Sequence, residues 1–485
     1  MPTSLQAHGR SDTASSTIPL CVDLDGTLLR SDLLWESLVR LLQQRPWLLP
    51  LTPLWLLQGK ARLKQELAER VALDAGTLPY HSEFLDHLRE EKARGRVLIL
   101  VTASDGRLAR QVAAHLDLFD EVMASDGAVN LRGTTKAAAL VARFGERGFD
   151  YAADADVDLP VWSRARNAVL VGASAGVARA ARERCEIARE FPRPVGRWAA
   201  LVRLLRPHQL VKNLIVFVPL ITSHQITNPV AVQQGLIAFL AFCLCASGVY
   251  VINDLLDVDS DRRHATKRAR PLASGDVPLA WAFPVAGTLV LGAVGVAALL
   301  SPLFVGVVLL YLGTAAAYSW RLKRTALVDV FVLAGLYTLR LVAGHVATGI
   351  EFSDWLLAFS MFLFLSLALV KRFQELRLRP ASAGVVAGRG YSAADLSLLT
   401  PLGTASGYLA VLVLALYASS DKVRLLYQHP TVLMLICPLM LYWISRIWLV
   451  AHRGKMSDDP VAFALRDGPS YLVGLFALLI VWLAT

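Results

Sequence analysis

The sequence predicts two fold classes in one chain: an α/β domain with a parallel, doubly wound sheet and a helical cap, then an all-α polytopic membrane domain. Three observations predict this. Apolar runs long enough to cross a bilayer begin only near residue 208 of 485. Residues 18–172 instead alternate short apolar, strand-like runs with helical segments. Lys and Arg are segregated to alternate loops of the apolar half. The composition agrees, at 55% hydrophobic and 18% charged residues with a mean hydropathy of +0.47. Five Cys in no paired pattern exclude a disulfide scaffold. The net charge of +10 suits anionic lipid or phosphorylated substrates, and nucleic acid is not expected as a partner.

Residues 1–17 are polar and are expected to be disordered, and no apolar stretch follows a basic start as a secretory signal would. Residues 18–24 read as a strand that runs into Asp23-Leu-Asp25-Gly26-Thr27, a tight glycine turn. Residues 33–92 have helical period and form an insert. Further strands are expected at 96–102, 119–123, 150–153 and 168–172. A doubly wound sheet binds ligands at the carboxyl ends of its strands. The polar residues fall there: Asp23 and Asp25 after the first strand, Thr102 and Ser104 after the second, Lys136 in a later loop, and Asp154 and Asp158 after a further strand.

This ordered set resembles the haloacid dehalogenase (HAD) phosphatase superfamily over 18–172. The resemblance implies Asp23 as the phosphate-accepting nucleophile and Asp25 as general acid/base. It implies that Thr102 and Lys136 hold phosphoryl oxygens, and that Asp154 and Asp158 complete a Mg²⁺ site with Asp23. A carboxylate attacking a phosphate dianion needs a cation to offset the charge. The insert sits where the family carries its cap. Ala153 departs from the Gly usual in the last motif.

Residues 173–207 read as a basic, partly helical juxtamembrane linker, in which eight Arg face three Glu. The membrane domain, 208–485, shows nine apolar runs: 209–222, 230–252, 280–300, 303–318, 326–346, 355–370, 396–418, 430–450 and 469–485. With the α/β domain inside, the inner loops carry sixteen Lys and Arg against two outside. This predicts a multi-pass protein of the inner (plasma) membrane with a cytoplasmic N-terminal domain and, for nine spans, an external C-terminus.

The second run leads into Asn253, Asp257 and Asp261, which share one stripe of a helix and span roughly 12 Å. Stacked carboxylates repel unless a cation lies between them, and oxygen-only ligands favour Mg²⁺ bridged to a diphosphate. Lys267 and Arg270 follow and suit phosphate oxygens. NDxxDxxxD followed by TKRxRPLxxG resembles the UbiA superfamily of intramembrane prenyltransferases over about 206–485. Within it the likeness is nearest to decaprenyl-phosphate phosphoribosyltransferases. It is carried by Arg206-Pro207, Lys212-Asn213, Tyr318, Lys323, Asp329, Arg340 with Gly344, Lys371-Arg372, Arg389-Gly390-Tyr391 and Asp459-Pro460 with Leu465-Arg466-Asp467.

Aromatic prenyltransferases of the superfamily carry a second acidic motif after the sixth span. Here that loop opens with Lys371, Arg372, Arg377 and Arg379 against Glu375 alone. The resemblance therefore implies transfer of 5-phosphoribose from phosphoribosyl diphosphate to a polyprenyl phosphate. Mg²⁺ would be held by Asn253, Asp257 and Asp261, with Lys212, Asn213, Lys267, Arg270, Lys323, Asp329, Arg340, Lys371 and Arg372 contacting substrates. The HAD domain would remove the 5-phosphate from the product. An aromatic, quinone-type prenyltransferase with a regulatory or pyrophosphatase HAD domain is the alternative. A transporter is disfavoured, because transporters place such acids mid-membrane. Oligomer formation is compatible with the sequence.

Overall fold

A computed structural model describes residues 18–126, 129–192, 196–377, 390–456, 459–464 and 466–485. The expectation of disorder at 1–17, and Arg193, Arg379, Arg389 and Leu465, lie outside the described residues. The chain divides into two compact units. One runs to Leu205 and also takes in Val251–Val285; the other comprises Arg206–Tyr250 and Ala286–Thr485.

In the first unit six strands form one sheet: β1 Leu20–Val22, β2 Leu98–Asp105, β3 Glu121–Ser125, β4 Asp150–Ala153, β5 Asn167–Val171 and β6 Glu186–Phe191. Their order is β3-β2-β1-β4-β5-β6, and every neighbouring pair is parallel. Alternation packs both faces. Leu20 and Val22 join one apolar cluster, and Cys21, Tyr151 and Ala153 the other. The strand order reverses between β1 and β4, so the crevice at their carboxyl ends is where ligands bind in such sheets.

β6 corrects the sequence expectation, because it lies inside the segment read as linker. It pairs with β5 from Asn167↔Glu186 to Val171↔Phe191, so the α/β domain runs on to about Phe191. As an edge strand it is mostly exposed and charged, which hides its period. The insert contains α1 Leu33–Gln44, α2 Thr52–Leu57 and α3 Lys60–Arg70, packed on Leu41, Trp55, Leu63 and Leu67. Two further helices, α4 Ser82–Ala93 and α5 Gly106–Leu116, flank β2, and α6 Thr134–Phe144 precedes β4.

Val251–Val285 joins this unit through buried charge. Glu36 of α1 is fully buried and accepts from Arg40 at 2.6 Å and from both terminal nitrogens of Arg262 at 2.7 and 3.0 Å. Asp259 accepts from Arg40 at 2.7 Å and completes a neutral quartet. Burial would raise the Glu36 carboxyl, but Arg262 and then Arg40 outweigh it and hold it at about 2. A lowered carboxyl stabilises above its unfolded value, so this contribution is lost only as pH falls from about 4.5 toward 2.

Eight helices among the described residues are long and apolar enough to cross a membrane, from Trp198–Thr222 to Pro430–His452. The chain is a multi-pass membrane protein. The expected ninth run forms Gly468–Ala484, a 17-residue apolar helix. At 1.5 Å per residue it reaches about 26 Å, short of a bilayer core of about 30 Å. Trp198–Thr222 is interrupted at Arg206, whose φ of 52° precedes Pro207 and a 3₁₀ segment, Pro207–Phe217.

Within the second unit Gly344 allows a close approach. A Cβ there would lie 2.1 Å from the carbonyl oxygen of Val216, at the end of the segment that carries Lys212 and Asn213. Gly344→Ala is therefore expected to cost about 1–3 kcal/mol by overpacking. Denaturant unfolding in lipid or detergent micelles measures it, and a stability equal to wild type would contradict this packing.

Candidate active sites

Asp23 follows β1 and Asp154 follows β4, so the switch point brings them together. The amide of Asp23 donates to the carbonyl of Ala152 at 2.9 Å, which fixes the strand end. Gly26, at φ 83°, turns the chain just after Asp25; a Cβ there would lie 2.7 Å from both Asp154 carboxylate oxygens. Lys136, in the first turn of α6, reaches Asp23 Oδ1 at 2.7 Å and the Tyr151 hydroxyl at 2.8 Å. Tyr151 in turn donates to Asp158 Oδ1 at 2.9 Å. Carboxylate oxygens of Asp23, Asp154 and Asp158 lie within 4.8 Å of one another.

This donor set fits Mg²⁺. It is all oxygen, and Asp158 Oδ2 is buried with no hydrogen-bond donor among the described residues. Burial raises the Asp23 carboxyl; Lys136 opposes this, and Asp158 and Asp25 add to it. Burial would lower the Lys136 ammonium, but Asp23 and Asp158 outweigh it and raise it.

Asp25 accepts from the Leu33 amide at 2.8 Å and from the Ser104 hydroxyl at 2.6 Å. Thr102 lies late in β2, beside Asp25. It is fully buried, its hydroxyl directed at Asp25 at 3.4 Å and accepting from the Ser104 amide at 3.0 Å. A register shift between Thr102 and Asp105 turns these groups toward Asp25. Ala153 packs its methyl in the sheet core and does not enter the site. Tyr151 was not singled out from the sequence; a tyrosine inside a strand reads as core. The site opens into a cavity of about 820 Å³ that also touches Leu34, Trp35, Leu56, Leu63 and Leu279.

The acidic stripe of the same unit is nearly as expected. The helix Pro229–Leu256 ends before Asp257, and a short helix, Val258–Arg263, follows. Yet the amides of Asp257 and Asp261 still donate to the carbonyls of Asn253 and Asp257, at 2.9 and 2.8 Å, so the phase carries through. Arg270 supplies a cation between carboxylates, reaching Asp254 at 3.2 Å and Asp261 at 2.6 Å. It is thus directed at acids, where the sequence suggested phosphate. Burial raises the Asp261 carboxyl, and Arg270 opposes it. Among the described residues, only Asp23, Asp154 and Asp158 form a three-ligand group of acids, histidines or cysteines. Lys267 is exposed in a 3₁₀ turn.

In the second unit Lys212 pairs with Asp459, and Lys371 lies 3.9 Å from the same carboxylate oxygen. Arg340 is buried, donates to Asn213 Oδ1 at 2.9 Å and to the Tyr311 hydroxyl at 2.8 Å, and lies over the rings of Tyr311 and Tyr337. Asp459 was seen in the sequence only as part of a motif, and its partners could not be read there. Lys323 is half-buried in the turn Leu322–Arg324.

Arg372 and Asp329, expected at a substrate, are directed at each other. Both are fully buried and ion-paired. Arg372 also donates to Glu375 at 2.5 Å and to the Tyr318 hydroxyl at 2.6 Å, and Asp329 accepts from Tyr391 at 2.5 Å.

Against this geometry the class is clear. Residues 216–482 match the UbiA prenyltransferase family, and the chain belongs to it. Residues 20–163 match haloacid dehalogenase-like hydrolase, so a HAD-like domain is fused ahead of the transferase. "Uncharacterized protein y4nM" of Sinorhizobium fredii is 39% identical over 471 residues, covering 96% of this chain and 90% of that protein. "Decaprenyl-phosphate phosphoribosyltransferase" of Mycobacterium tuberculosis is 31% identical over 60% of this chain and 94% of its own. A solved UbiA homolog from Archaeoglobus fulgidus, bound to GPP and Mg²⁺, is 17% identical with a TM-score of 0.46, over 58% of this chain and 99% of that one.

Two predictions follow from these placements. Mg²⁺ binding is expected to release protons and to tighten as pH rises near neutrality, because the ion displaces the proton that burial favours on Asp23. Calorimetry in two buffers of different ionisation enthalpy measures this, and identical heats would contradict it. Arg372→Ala is expected to cost about 3–5 kcal/mol by stranding Asp329, and Arg372→Met with Asp329→Leu to recover most of that. Unfolding midpoints decide; a stable single variant with a raised KM would return Arg372 to the substrate.

Proposed function

We propose that the chain catalyses two consecutive steps at the plasma (inner) membrane, with the α/β unit in the cytoplasm as the loop charges favour. The transferase moves 5-phosphoribose from phosphoribosyl diphosphate to a polyprenyl phosphate. The HAD-like domain then removes the 5-phosphate.

One observation carries the choice of donor. After the sixth expected span comes Lys371, beside Asp459 and Lys212, where an aromatic prenyltransferase would place a second acidic motif. The likeness to a decaprenyl-phosphate phosphoribosyltransferase supports the same donor and acceptor. In transfer, a phosphate oxygen of the lipid forms a bond to the anomeric carbon, while that carbon's bond to diphosphate breaks. Little proton chemistry is needed, so positioning and charge neutralisation dominate. Asn253, Asp257 and Asp261 would hold Mg²⁺; Lys267, Arg270 and Lys323 would serve phosphate oxygens; Arg340 positions Asn213.

In the second step an Asp23 oxygen attacks phosphorus, the bond to the ribose 5-oxygen breaks, and Asp25 protonates that oxygen. Asp25 then takes a proton from water as it hydrolyses the aspartyl phosphate. Mg²⁺, when held by Asp23, Asp154 and Asp158, offsets the charge of the incoming phosphate. Lys136 fixes Asp23 and adds a second positive charge.

Purified protein with labelled phosphoribosyl diphosphate and polyprenyl phosphate tests both steps. Wild type is expected to yield ribosyl lipid. Asp23→Asn should keep the 5-phosphate on the lipid at a similar transfer rate, and Asp257→Asn should make no labelled lipid. Label that never reaches lipid overturns the transferase reading. Phosphorylated lipid from both wild type and Asp23→Asn, with extra inorganic phosphate only from wild type, would make the HAD-like domain a pyrophosphatase.

A further inference from the structure

The cap carries a surface that no step above uses. Pro46–Leu57 is a 3₁₀ turn running into α2, with twelve residues and no charge. Trp47, Leu54 and Leu57 are 69, 54 and 84% exposed, and Leu51 and Leu56 are exposed as well. Trp55 turns inward, under the Arg70 guanidinium, and Leu48 and Leu49 pack partly on the same cluster. Exposed cations flank the segment: Arg45 before it, Lys60 and Arg62 after it. A water-facing domain rarely leaves so contiguous an apolar strip uncovered.

The surroundings name what covers it. The cavity touched by Thr52, Pro53 and Leu56 is also lined by Pro278, Leu279 and Ala280. Leu279 begins the helix Leu279–Ala298, one of the eight that can cross a bilayer. Trp35 of the cap helix α1 lies 5.6 Å, ring to ring, from Phe283 in that same helix. The cap therefore packs on the first turns of a helix that is long and apolar enough to cross a bilayer. Trp with flanking Lys and Arg, beside an apolar face, is the composition of segments that lie in the headgroup layer.

We propose that Pro46–Leu57 is seated in the interfacial layer of the bilayer, and that the Asp23 cavity takes its phosphate monoester from lipid rather than from water. The second clause rests on the phosphatase reading; the first does not.

The full chain in nanodiscs of phosphatidylethanolamine and phosphatidylglycerol tests both. Nitroxides are placed at Leu54→Cys, Leu57→Cys and, as a control, Glu83→Cys, with Cys185 and Cys437 replaced by Ser. Oxygen is expected to relax the first two more than a water-soluble nickel chelate does, and the control the reverse. Water-like accessibility at positions 54 and 57, or spin–spin coupling between copies, overturns the surface.

The double variant Leu54→Glu/Leu57→Glu should hydrolyse para-nitrophenyl phosphate as wild type does. On a lipid-borne phosphate monoester it should lose at least about tenfold, since even one leucine's burial is worth more than that. Equal effects on both substrates overturn entry from lipid. A wild type that hydrolyses neither substrate overturns the phosphatase reading and with it the second clause, while the nitroxides still decide the first.

Discussion

The buried quartet of Glu36, Arg40, Asp259 and Arg262 is the constraint on which the first unit depends. Glu36, Arg40 and Arg262 are held out of water and Asp259 is half-buried beside them; remove one base and an uncompensated buried carboxylate remains. Two of the four come from the cap of the α/β domain and two from the segment between two membrane helices. That pairing ties the acidic stripe and the Asp23 site into one compact body. The salt link between Arg30 and Asp276, at 2.5 Å, and a Gln43 contact to the carbonyl of Leu256, at 2.9 Å, extend the seam.

Much of this was legible in the sequence, for reasons that are local. β1, β2 and β4 are short apolar runs ending at polar residues, and that pattern needs no partner to be read. The positions of Asp23, Asp25, Asp154 and Asp158 follow from strand ends alone. The membrane half announces itself by length of apolar run and by where Lys and Arg fall. β6 escaped notice because an edge strand of alternating charge looks like a linker. Helical period marked 33–92 as an insert, but periodicity does not say which face stays uncovered, as at Trp47 and Leu57.

Partners distant in sequence were the illegible part. Lys371 and Arg372 are adjacent and look alike as letters, yet one lies by Asp459 and the other is enclosed with Asp329, Glu375 and Tyr318. Side-chain charge alone cannot separate a residue that meets substrate from one that neutralises a buried acid. Arg270 shows the same ambiguity: its guanidinium meets Asp254 and Asp261. Residue letters alone do not say whether such a guanidinium serves a phosphate or the neighbouring acids.

The mixed composition of the first unit bears on inheritance. Family resemblance falls into two successive stretches, 20–163 and 216–482, as though two genes had been joined end to end. The folded body ignores that join, because it borrows Val251–Val285 from the far side of two membrane helices. Recombination that swapped the hydrolase alone would leave Glu36 and Arg40 facing a foreign loop. Such a fusion is hard to reverse: once a loop between membrane helices supplies counter-charges to the α/β domain, the two can drift only in step.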